Sequence, residues 1–553
     1  MVLVSLLDRI DIPETNVANY VLDNCERIGG PDHTVFLDSA TGYALTAAEL
    51  RSYVRRLAAG LRQHFGIKRG DVVAIFASNS VNFPIVVYGV VASGATCTTV
   101  NPTYTPRELE HQLTDSQATM IVVGGGLLDT ALEAFSHMDD SAKPKHILHM
   151  DEARTGKEDS IFSAMADETA GPVDDGLQPS DYSTTPAYIC YSSGTTGLPK
   201  GVLLSHRNMV ANAMQIQRVK ELDLERSQGS RHEIFLGLAP FCHAYGLSYV
   251  LHSSVALGGT IVIMSRYSFD GFLKAIETHR ITFAYLVPPL VCALSKDPRV
   301  DDYNVSSMHT VLSGGATLSP TLIEATQKRL PHVRVIQGYG MTEMSPAITM
   351  LATSHNEPAS IGILMANCEA KVVDHDNNEV AAPGEPGELC FRGPNIMVGY
   401  LNNRRATEDI FDSDGFLHTG DIGYVDSKGF FFITDRKKEI IKFKGFQISP
   451  SELESILAEH PDIADAAVMP VYDDSQATEV PRGFFVMKDS GNNDQERAKA
   501  VVEWLHERVA GFKRLRGGFV IIDHIPRSPA GKIIRKSLRE IQHVNLGKAT
   551  VAA

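Results

Sequence analysis

The chain has 553 residues, which is too long for a single hydrophobic core, so two or more domains are expected. A hydrophobic content of 43% and a charged content of 21% fit a globular protein, and the net charge of −15 argues against general nucleic-acid binding. The seven cysteines have no paired spacing, which argues against a disulfide framework or a zinc site and is typical of a reducing compartment.

Three further features predict a cytoplasmic protein. The first residues, MVLVSLLDRIDIPETN, lack the basic start and the apolar run of a signal peptide. The apolar stretch at residues 83–95 is shorter than the roughly 18 residues that a membrane span needs. The last residues, TVAA, are not a peroxisomal Ser-Lys-Leu signal.

The first part of the chain alternates helical and strand patterns. Apolar residues recur at helical spacing over residues 45–66, and residues 72–76 form an apolar run typical of a buried strand. The alternation returns between residues 230 and 340, and it favours α/β domains with parallel sheets. The other elements predicted in these parts are helices at residues 83–94, 107–113, 272–279 and 322–330, and strands at 98–100, 120–123, 260–264, 281–287 and 310–312.

Between these two parts lies a loop suited to binding phosphate. Residues 188–208 read YICYSSGTTGLPKGVLLSHRN, so small and hydroxyl-bearing residues precede Lys200. Small residues let backbone N–H groups approach an anion, hydroxyls add donors and the lysine adds a positive charge. The spacing differs from that of the common nucleotide P-loop, and a flexible surface turn is the alternative interpretation. The loop residues are Ser192, Ser193, Gly194, Thr195, Thr196, Gly197 and Lys200.

The pattern changes twice in the later part of the chain. After residue 369, short strands alternate with Gly and Asp turns, which predicts a β-rich subdomain. After residue 435 a small α/β piece follows, with helices predicted at 450–459 and 495–509 and strands near 466–470 and 482–487. The second change places a domain boundary at residues 434–438.

Five motifs occur in order along the chain, YSSGTTGLPKGV, QGYGMTE, HTGDIGYVD, DRKKEIIKFKGFQISPSELE and PRSPAGKIIRK. Together they resemble the acyl-adenylate-forming superfamily of acyl-CoA synthetases, luciferases and peptide-synthetase adenylation domains. Within it, the chain looks most like 4-coumarate–CoA ligases and their fungal and fatty-acyl relatives. The resemblance spans about residues 30–540.

The resemblance implies a fold and a reaction. The α/β fold would have a large N-terminal domain at residues 1–434, made of two α/β subdomains plus a β-barrel subdomain. A hinge at 435–438 and a small mobile α+β C-terminal domain at 439–553 would follow. The reaction would activate a carboxylic acid with ATP and Mg²⁺ to an acyl-adenylate and pyrophosphate, and would then pass the acyl group to the thiol of CoA.

The resemblance also implies a nucleotide and metal site. Glu343 would ligate Mg²⁺ together with Thr196, since a hard cation prefers oxygen ligands. Asp421 would accept hydrogen bonds from the ribose hydroxyls, with Arg436 beside it, and Tyr339 would stack on adenine. The whole predicted nucleotide site comprises Ser192, Ser193, Gly194, Thr195, Thr196, Gly197, Lys200, Gln337, Gly338, Tyr339, Gly340, Met341, Thr342, Asp421, Arg436 and Lys532.

The two half-reactions are assigned by the resemblance to two lysines of the small domain. Lys532 would bridge the carboxylate and the α-phosphate during adenylation, and Lys442 would act with Gln447 in thioester formation. One static pose is not expected to bring both lysines to the same carboxylate, so the small domain would rotate about Lys438. The predicted CoA contacts are Lys444, Gly445, Lys513 and Arg516.

The implied acid pocket differs from that of plant 4-coumarate ligases. Its predicted lining is His243, Tyr245, Tyr249, Gly314, Gly315, Gly338, Gly340, Met344, Ser345 and Ala347, and His243 would also gate the thiol tunnel. Tyr249 stands where those enzymes carry a small residue, and Met-Ser-Pro-Ala follows Glu343 where they usually carry Ala-Gly-Pro-Val. These differences argue against coumarate itself and leave aryl, cinnamic-type and medium-chain acids.

Other interpretations share these motifs. An adenylating enzyme that loads a separate carrier protein and a luciferase-type oxygenase would both keep them. A relative that only binds its ligands is disfavoured, because Glu343, Asp421, Arg436, Lys442 and Lys532 are all present.

Overall fold

The computed structural model describes residues 2–151, 159–169, 171, 174–192, 199–227, 232–316, 318–355, 357–374, 384–436, 439, 441–443, 446–473, 478–488, 493–509, 511–527 and 533–545. The helices are α1 (Val17–Gly29), α2 (Ala47–Phe65), α3 (Asn82–Ala92), α4 (Pro106–Ser116), α5 (Leu128–His137), α6 (Ile161–Ala164), α7 (His206–Ser227), α8 (Phe269–His279), α9 (Pro288–Lys296), α10 (Pro320–Arg329), α11 (Arg404–Ile410), α12 (Pro450–Glu459), α13 (Asp494–His506) and α14 (Arg535–Asn545). Short 3₁₀ helices span Pro179–Ser183, Pro298–Asp302, Thr342–Met344 and Gly511–Lys513, and a π-helix spans Gly246–Ser254.

The strands form sheets in both parts of the chain. They are β1 (Leu3–Val4), β2 (Thr34–Asp38), β3 (Ala44–Thr46), β4 (Val72–Phe76), β5 (Thr96–Val100), β6 (Met120–Val123), β7 (His146–His149), β8 (Pro186–Ser192), β9 (Lys200–Ser205), β10 (Ile234–Gly237), β11 (Thr260–Ile263), β12 (Phe283–Leu286), β13 (Thr310–Ser313), β14 (Arg334–Gly340), β15 (Ala347–Met350), β16 (Gly362–Leu364), β17 (Glu369–Val373), β18 (Gly387–Arg392), β19 (Gly399–Tyr400), β20 (Leu417–Val425), β21 (Phe430–Arg436), β22 (Ile441–Phe443), β23 (Phe446–Ile448), β24 (Ile463–Asp473), β25 (Thr478–Met487) and β26 (Phe519–Ile521).

The largest sheet joins a parallel part to an antiparallel part. Its order is β1-β17-β18-β20-β21-β16-β15-β14-β13-β12-β10-β11-β2-β3. The strands from β2 to β14 in this order pair in parallel, and those from β14 to β1 pair antiparallel. β14 belongs to both parts: it pairs with β13 up to Gln337 and with β15 from Gly338 onward. The predicted β-rich subdomain after residue 369 supplies β17, β18, β20 and β21 to the antiparallel part.

A second sheet forms the other α/β subdomain. Its order is β19-β9-β8-β5-β4-β6-β7, and the five strands from β8 to β7 are parallel. β9 pairs antiparallel with both β8 and β19. The phosphate loop therefore connects two antiparallel strands, β8 and β9, at one side of this sheet. The prediction of two α/β subdomains is confirmed.

The small C-terminal domain has its own core. β24, β25 and β26 form a three-stranded sheet, and β22 and β23 form a hairpin. Apolar residues of α12, α13 and these strands pack together, among them Leu453, Phe485 and Val501. The α12 end of this domain contacts the large domain, because Lys296 Nζ donates to the carbonyl of Ala458 at 3.1 Å.

Local sequence explains where several helices begin. At the start of α2, the Thr46 side chain accepts from the N–H of Glu49, and Glu49 Oε2 accepts from the N–H of Thr46 at 2.8 Å. Thr105 and Glu108 form the same capping box before α4, with Pro106 at the first helical position. Such caps stabilise a helix by about 1 kcal/mol each.

Several predicted elements match the structure residue by residue, and others were missed. β4, β6 and α12 have the predicted bounds, 72–76, 120–123 and 450–459. The π-helix at Gly246–Ser254 was not predicted because all nine of its residues are buried, so it shows no alternation of apolar and polar residues. Among the described helices, none combines the length and the apolar character needed to cross a bilayer.

Candidate active site

The two flanks of the predicted phosphate loop lie opposite each other. Ser192 is the last residue of β8 and Lys200 is the first residue of β9, and the two are paired across the ladder. Helix α4 supports the flanks from behind: the Tyr191 hydroxyl donates to Asp115 Oδ2 at 2.7 Å. The loop residues Ser193, Gly194, Thr195, Thr196 and Gly197 lie outside the described residues.

Glu343 is a nearly buried carboxylate beside these flanks. It is 4% exposed and lies in the short helix Thr342–Met344. Its Oε1 accepts hydrogen bonds from Ser192 Oγ at 3.3 Å and from the Tyr400 hydroxyl at 2.8 Å. Both donors use the same oxygen, so Oε2 accepts no hydrogen bond from the described residues. A buried carboxylate costs free energy without such donors.

This carboxylate fits a magnesium ion that is shared with substrate phosphates. Mg²⁺ is usually held by one or two carboxylates together with phosphates and waters. In the part of the chain that the structure describes, no group of three His, Cys, Asp or Glu side chains could hold a metal by itself. A single protein carboxylate beside a phosphate loop is the donor set that Mg²⁺–ATP needs.

Tyr400 connects Glu343 to Lys200. Lys200 Nζ lies 4.8 Å from the centroid of the Tyr400 ring, a cation–π contact. Burial raises the pKa of the Tyr400 hydroxyl and the negative charge of Glu343 raises it further, so Tyr400 stays a neutral donor. Tyr400 could not be predicted from the sequence, because its neighbours in MVGYL form no recognisable ligand-binding motif. It reaches the site because β19 pairs with β9.

The predicted ribose and adenine residues lie together. The Tyr339 hydroxyl donates to Asp421 Oδ2 at 2.6 Å, and Asp421 is only 8% exposed. The N–H of Asp421 donates to Thr419 Oγ1 at 3.0 Å, which fixes the strand beneath the carboxylate. Arg436 is the Cα partner of Asp421 across β20 and β21, so the main chain brings the predicted pair together. The side chain of Arg436 is outside the described part.

A close backbone approach explains the glycine in the turn before Glu343. A Cβ atom on Gly340 would lie 1.7 Å from the carbonyl oxygen of Pro346. The N–H of Met341 donates to that same carbonyl at 2.9 Å. Because the chain passes itself this closely, Thr342 and Glu343 leave β14 in a fixed turn.

The side chain of Gln337 is hydrogen-bonded to the main chain of two other segments. Its Oε1 accepts from the N–H of Leu318 at 2.9 Å, and its Nε2 donates to the carbonyl of Pro358 at 2.9 Å. The side chain is 2% exposed. Both ends of the amide are thus bonded to main chain, and the predicted nucleotide contact of Gln337 stays a prediction.

Tyr245 and Tyr249 pack against two glycines of the predicted acid pocket. Cβ atoms built on Gly314 and Gly338 would lie 3.1 Å from the Tyr245 ring and 3.1 Å from the Tyr249 hydroxyl. The two rings meet edge to face, with centroids 5.1 Å apart. The Tyr245 hydroxyl donates to the carbonyl of Leu312 at 3.1 Å, and burial raises the pKa of both tyrosines. Neutral aromatic rings therefore form this wall.

The other predicted pocket residues lie on neighbouring turns. Met344, Ser345 and Ala347 are buried, and Gly315 is exposed. His243 is half-buried, and its carbonyl accepts from the N–H of Leu247 as the π-helix begins. The HAYGL and GGA segments thus lie near the end of β14, and their role as the lining of an acid pocket stays a prediction.

In the small domain, Lys513 and Arg516 already have protein partners. Lys513 Nζ contacts Glu452 at 2.6 and 2.7 Å. The Arg516 guanidinium lies 5.1 Å from the centroid of the Phe443 ring and donates to the carbonyl of Gly511. CoA phosphates would have to exchange with Glu452 to reach Lys513.

The predicted catalytic lysines are only partly described. Lys442 and Gln447 face each other across the β22–β23 hairpin as main-chain partners, but their side chains are not described. Lys444, Gly445 and Lys532 lie outside the described residues, and so does the predicted hinge residue Lys438. After Lys532, Arg535 bridges Glu439 at 3.2 Å and Glu454 at 3.1 Å. Burial raises the pKa of Glu454, and Arg535 opposes this rise.

Two family models match most of the chain. Residues 27–401 match the model described as AMP-binding enzyme. Residues 452–532 match the model described as AMP-binding enzyme C-terminal domain. The unmatched part between the two includes β21 and the predicted boundary.

Individual relatives cover nearly the whole chain. The 4-coumarate–CoA ligase CCL1 of Humulus lupulus is 37% identical, over 96% of this chain and 96% of the relative. The 4-coumarate–CoA ligase 2 of Oryza sativa subsp. japonica is 40% identical, over 92% of this chain and 90% of the relative. Among solved structures, ATP-bound MatB from Rhodopseudomonas palustris is similar with a TM-score of 0.81 at 25% identity, over 95% of this chain and 98% of that chain.

Proposed function

The chain belongs to the AMP-binding enzyme family, and we propose that it is an ATP-dependent ligase that joins a carboxylic acid to coenzyme A. The observation that carries this proposal is the position of Glu343. Its carboxylate accepts hydrogen bonds from Ser192 and Tyr400 through one oxygen, which leaves the other oxygen for a cation. The loop that follows Ser192 is rich in residues that can donate hydrogen bonds to phosphate. The relatives named above are acid–CoA ligases. A carboxylate and a lysine beside a phosphate-binding loop are suited to the ATP-dependent step of that reaction.

The first half-reaction brings two anions together, so the protein must supply positive charge and exact placement. A carboxylate oxygen of the acid forms a bond to the α-phosphorus of ATP, and the bond to pyrophosphate breaks. Glu343 would hold Mg²⁺, which when bound would supply positive charge against the repulsion between the anions. Lys200 neutralises the departing pyrophosphate, and Lys532 bridges the carboxylate and the α-phosphate.

Asp421 and Tyr339 place the nucleoside. The ionised carboxylate of Asp421 can accept hydrogen bonds from both ribose hydroxyls. Tyr339 holds that carboxylate through its hydroxyl, and its ring would stack on the adenine. Positioning of this kind fixes the α-phosphorus in line with the acid.

In the second half-reaction, the CoA sulfur bonds to the acyl carbon and AMP leaves. The thiol loses its proton to solvent in this step. Lys442 and Gln447 stabilise the leaving AMP after the small domain has rotated about residues 435–438. The rotation, the division of the chain at 1–434 and 439–553 and these two roles are part of the proposal.

We assign the acid to the aryl, cinnamic-type or medium-chain class. Tyr245 and Tyr249 form an aromatic wall against Gly314 and Gly338, which favours a flat or slender acyl group. Tyr249 and Met344 fill space that small residues leave open in plant 4-coumarate ligases, while Ala347 deepens another wall, and this combination argues against coumarate itself.

A screen of pyrophosphate release tests this proposal. Purified protein is given Mg²⁺–ATP and a panel of benzoic, cinnamic and short- to medium-chain acids, with and without CoA. Acid-dependent release, followed by AMP and an acyl-CoA product when CoA is present, is the expected result. No release with any acid contradicts the ligase assignment.

A carrier-protein thiol is the alternative acceptor, and a carrier in place of CoA in the same assay tests it.

We also propose a cytoplasmic location. All seven cysteines are free, which agrees with a reducing compartment. Cell fractionation that finds the protein in a membrane or organelle fraction would refute the proposed location.

A further inference from the structure

A short segment crosses between Glu343 and the phosphate-loop flank. In residues 394–401, Asn395 Nδ2 donates to the carbonyl of Met344 at 2.9 Å. The N–H of Met397 donates to the carbonyl of Glu343, also at 2.9 Å. At its other end, the N–H of Leu401 donates to the carbonyl of Gly201 at 2.7 Å. The segment therefore links the backbone of Glu343, the proposed metal ligand, to the backbone of Gly201, which follows Lys200.

Tyr400 makes the same connection with its side chain. Its hydroxyl donates to Glu343 Oε1 at 2.8 Å, and its ring face lies 4.8 Å from Lys200 Nζ. Tyr400 is 8% exposed, so both contacts are largely shielded from water. Two polar groups that are 143 residues apart in sequence, Lys200 and Glu343 (343 − 200), thus share one tyrosine.

The two contacts use different parts of the tyrosine. The hydroxyl restricts the rotation of the Glu343 carboxylate through Oε1, and Oε2 accepts no hydrogen bond from the described residues. The ring face attracts the ammonium of Lys200 through its quadrupole, which a phenylalanine would also do. Partners that orient a metal ligand in this way tune metal affinity without touching the metal.

We propose that Tyr400 is a positioning residue that holds Glu343 and Lys200 at a fixed spacing, so that Mg²⁺ and the phosphates of ATP bind together. This inference rests on the proposed function of the site. The hydroxyl of Tyr400 acts on the metal indirectly, through Glu343. Its ring acts on the phosphates indirectly, through Lys200. Tyr400 itself does not contact the reacting atoms.

The variants Tyr400→Phe and Tyr400→Leu separate the two contacts. Tyr400→Phe removes the hydrogen bond to Glu343 and keeps the ring, so the Mg²⁺ concentration that half-saturates ATP binding should rise about tenfold. Tyr400→Leu removes both, so ATP affinity should also fall in the absence of Mg²⁺. Calorimetric titration of ATP at several Mg²⁺ concentrations measures both effects without turnover.

Tyr424→Phe is the matched control. Tyr424 stacks on Phe432 with centroids 4.8 Å apart in the antiparallel part of the large sheet, and no hydrogen bond of its hydroxyl is described. The control should keep the wild-type Mg²⁺ dependence. Thioester formation from a supplied acyl-adenylate needs neither Mg²⁺ nor pyrophosphate, so Tyr400→Phe should leave it unchanged.

The outcomes separate this inference from the proposed function. If wild-type protein shows no Mg²⁺-dependent ATP binding, the proposed function fails and Tyr400 has no such role. If wild-type protein binds and Tyr400→Phe needs the same Mg²⁺ concentration, the positioning role is refuted. Equal loss of ATP binding and of thioester formation in Tyr400→Phe also refutes it, because a general structural defect would produce that result.

Discussion

At the scale of residues, Tyr249 shapes the proposed acid pocket. Its hydroxyl lies against Gly338 and its ring against Tyr245, so the side chain fills space at the ends of β13 and β14. Burial raises its pKa, so it stays uncharged and acts through its volume and its hydroxyl. Sequence could predict the presence of this tyrosine in the pocket, but not its contacts.

Tyr249→Ser should enlarge the pocket and shift selectivity toward longer aryl acids. We expect the kcat/KM ratio of cinnamic to benzoic acids to rise about tenfold, which is the usual effect of a few buried atoms in an apolar pocket. The loss of a buried aromatic ring should also destabilise the fold by about 3–5 kcal/mol. Tyr249→Phe is the control, since it keeps the ring and should keep the selectivity. An unchanged ratio in Tyr249→Ser would show that this residue does not limit the acid.

The Glu343 site shows what sequence reasoning can and cannot find at this scale. Glu343, Asp421 and Tyr339 were predicted because they lie in motifs whose order is readable along the chain. Tyr400 was not, because its role comes from a two-residue strand that pairs with β9 nearly 200 residues earlier (400 − 202 for Tyr400 and Val202). Pairing at that distance leaves no local pattern.

At the scale of elements, the ends of strands bring the site together. β14 passes from the parallel to the antiparallel part of the large sheet between Gln337 and Gly338, where the predicted adenine wall begins. β8 and β9 present the loop flanks. The buried strands β4 and β6 and the buried helix α3 were predicted from their apolar runs. The π-helix and α7 were missed, because buried polar side chains such as His252, Asn212 and Gln215 interrupt their apolar pattern.

One contact between helices predicts a pH effect on stability. The N–H of Val17, at the start of α1, donates to Nδ1 of His206, the first residue of α7. Burial lowers the pKa of His206 from 6.5 to about 4. The unfolded chain therefore takes up this proton first as the pH falls. The stability contribution is full above pH 6.5 and is lost as the pH falls toward 4, by roughly 3 kcal/mol at 1.36 kcal/mol per unit.

His206→Gln should remove that pH dependence while keeping an acceptor for Val17. Thermal unfolding of both proteins at about pH 8 and about pH 5 measures the effect. The gap between the wild-type and variant midpoints should shrink at the lower pH. A gap that stays constant would mean that the His206 imidazole titrates normally in the folded protein.

At the scale of the whole molecule, the small domain packs against the large domain. It contacts the large domain through α12, where Lys296 reaches the carbonyl of Ala458 and Thr321 Oγ1 donates to Glu459 Oε1 at 3.0 Å. The small domain and its place after β21 were predicted from sequence texture and from the motifs. The proposed rotation comes from the resemblance and not from the residues themselves, because no local sequence pattern shows which of several poses is populated.

The two lysines of this domain should divide the reaction. Lys532→Ala should abolish adenylate formation, measured as pyrophosphate release, and should still allow thioester formation from a supplied acyl-adenylate. Lys442→Ala should do the reverse, because the two side chains are presented in different poses. Equal loss of both half-reactions in either variant would argue against alternation.

The most direct test of the whole account follows the fate of the acid. Protein, Mg²⁺–ATP and the best acid of the screen are incubated first without CoA and then with it, and the acyl products are identified by mass spectrometry. The account predicts an enzyme-bound acyl-adenylate with one pyrophosphate released, and its conversion to acyl-CoA and AMP when CoA is added. An acyl-adenylate that persists in the presence of CoA, or an acyl-CoA formed without pyrophosphate release, would contradict it.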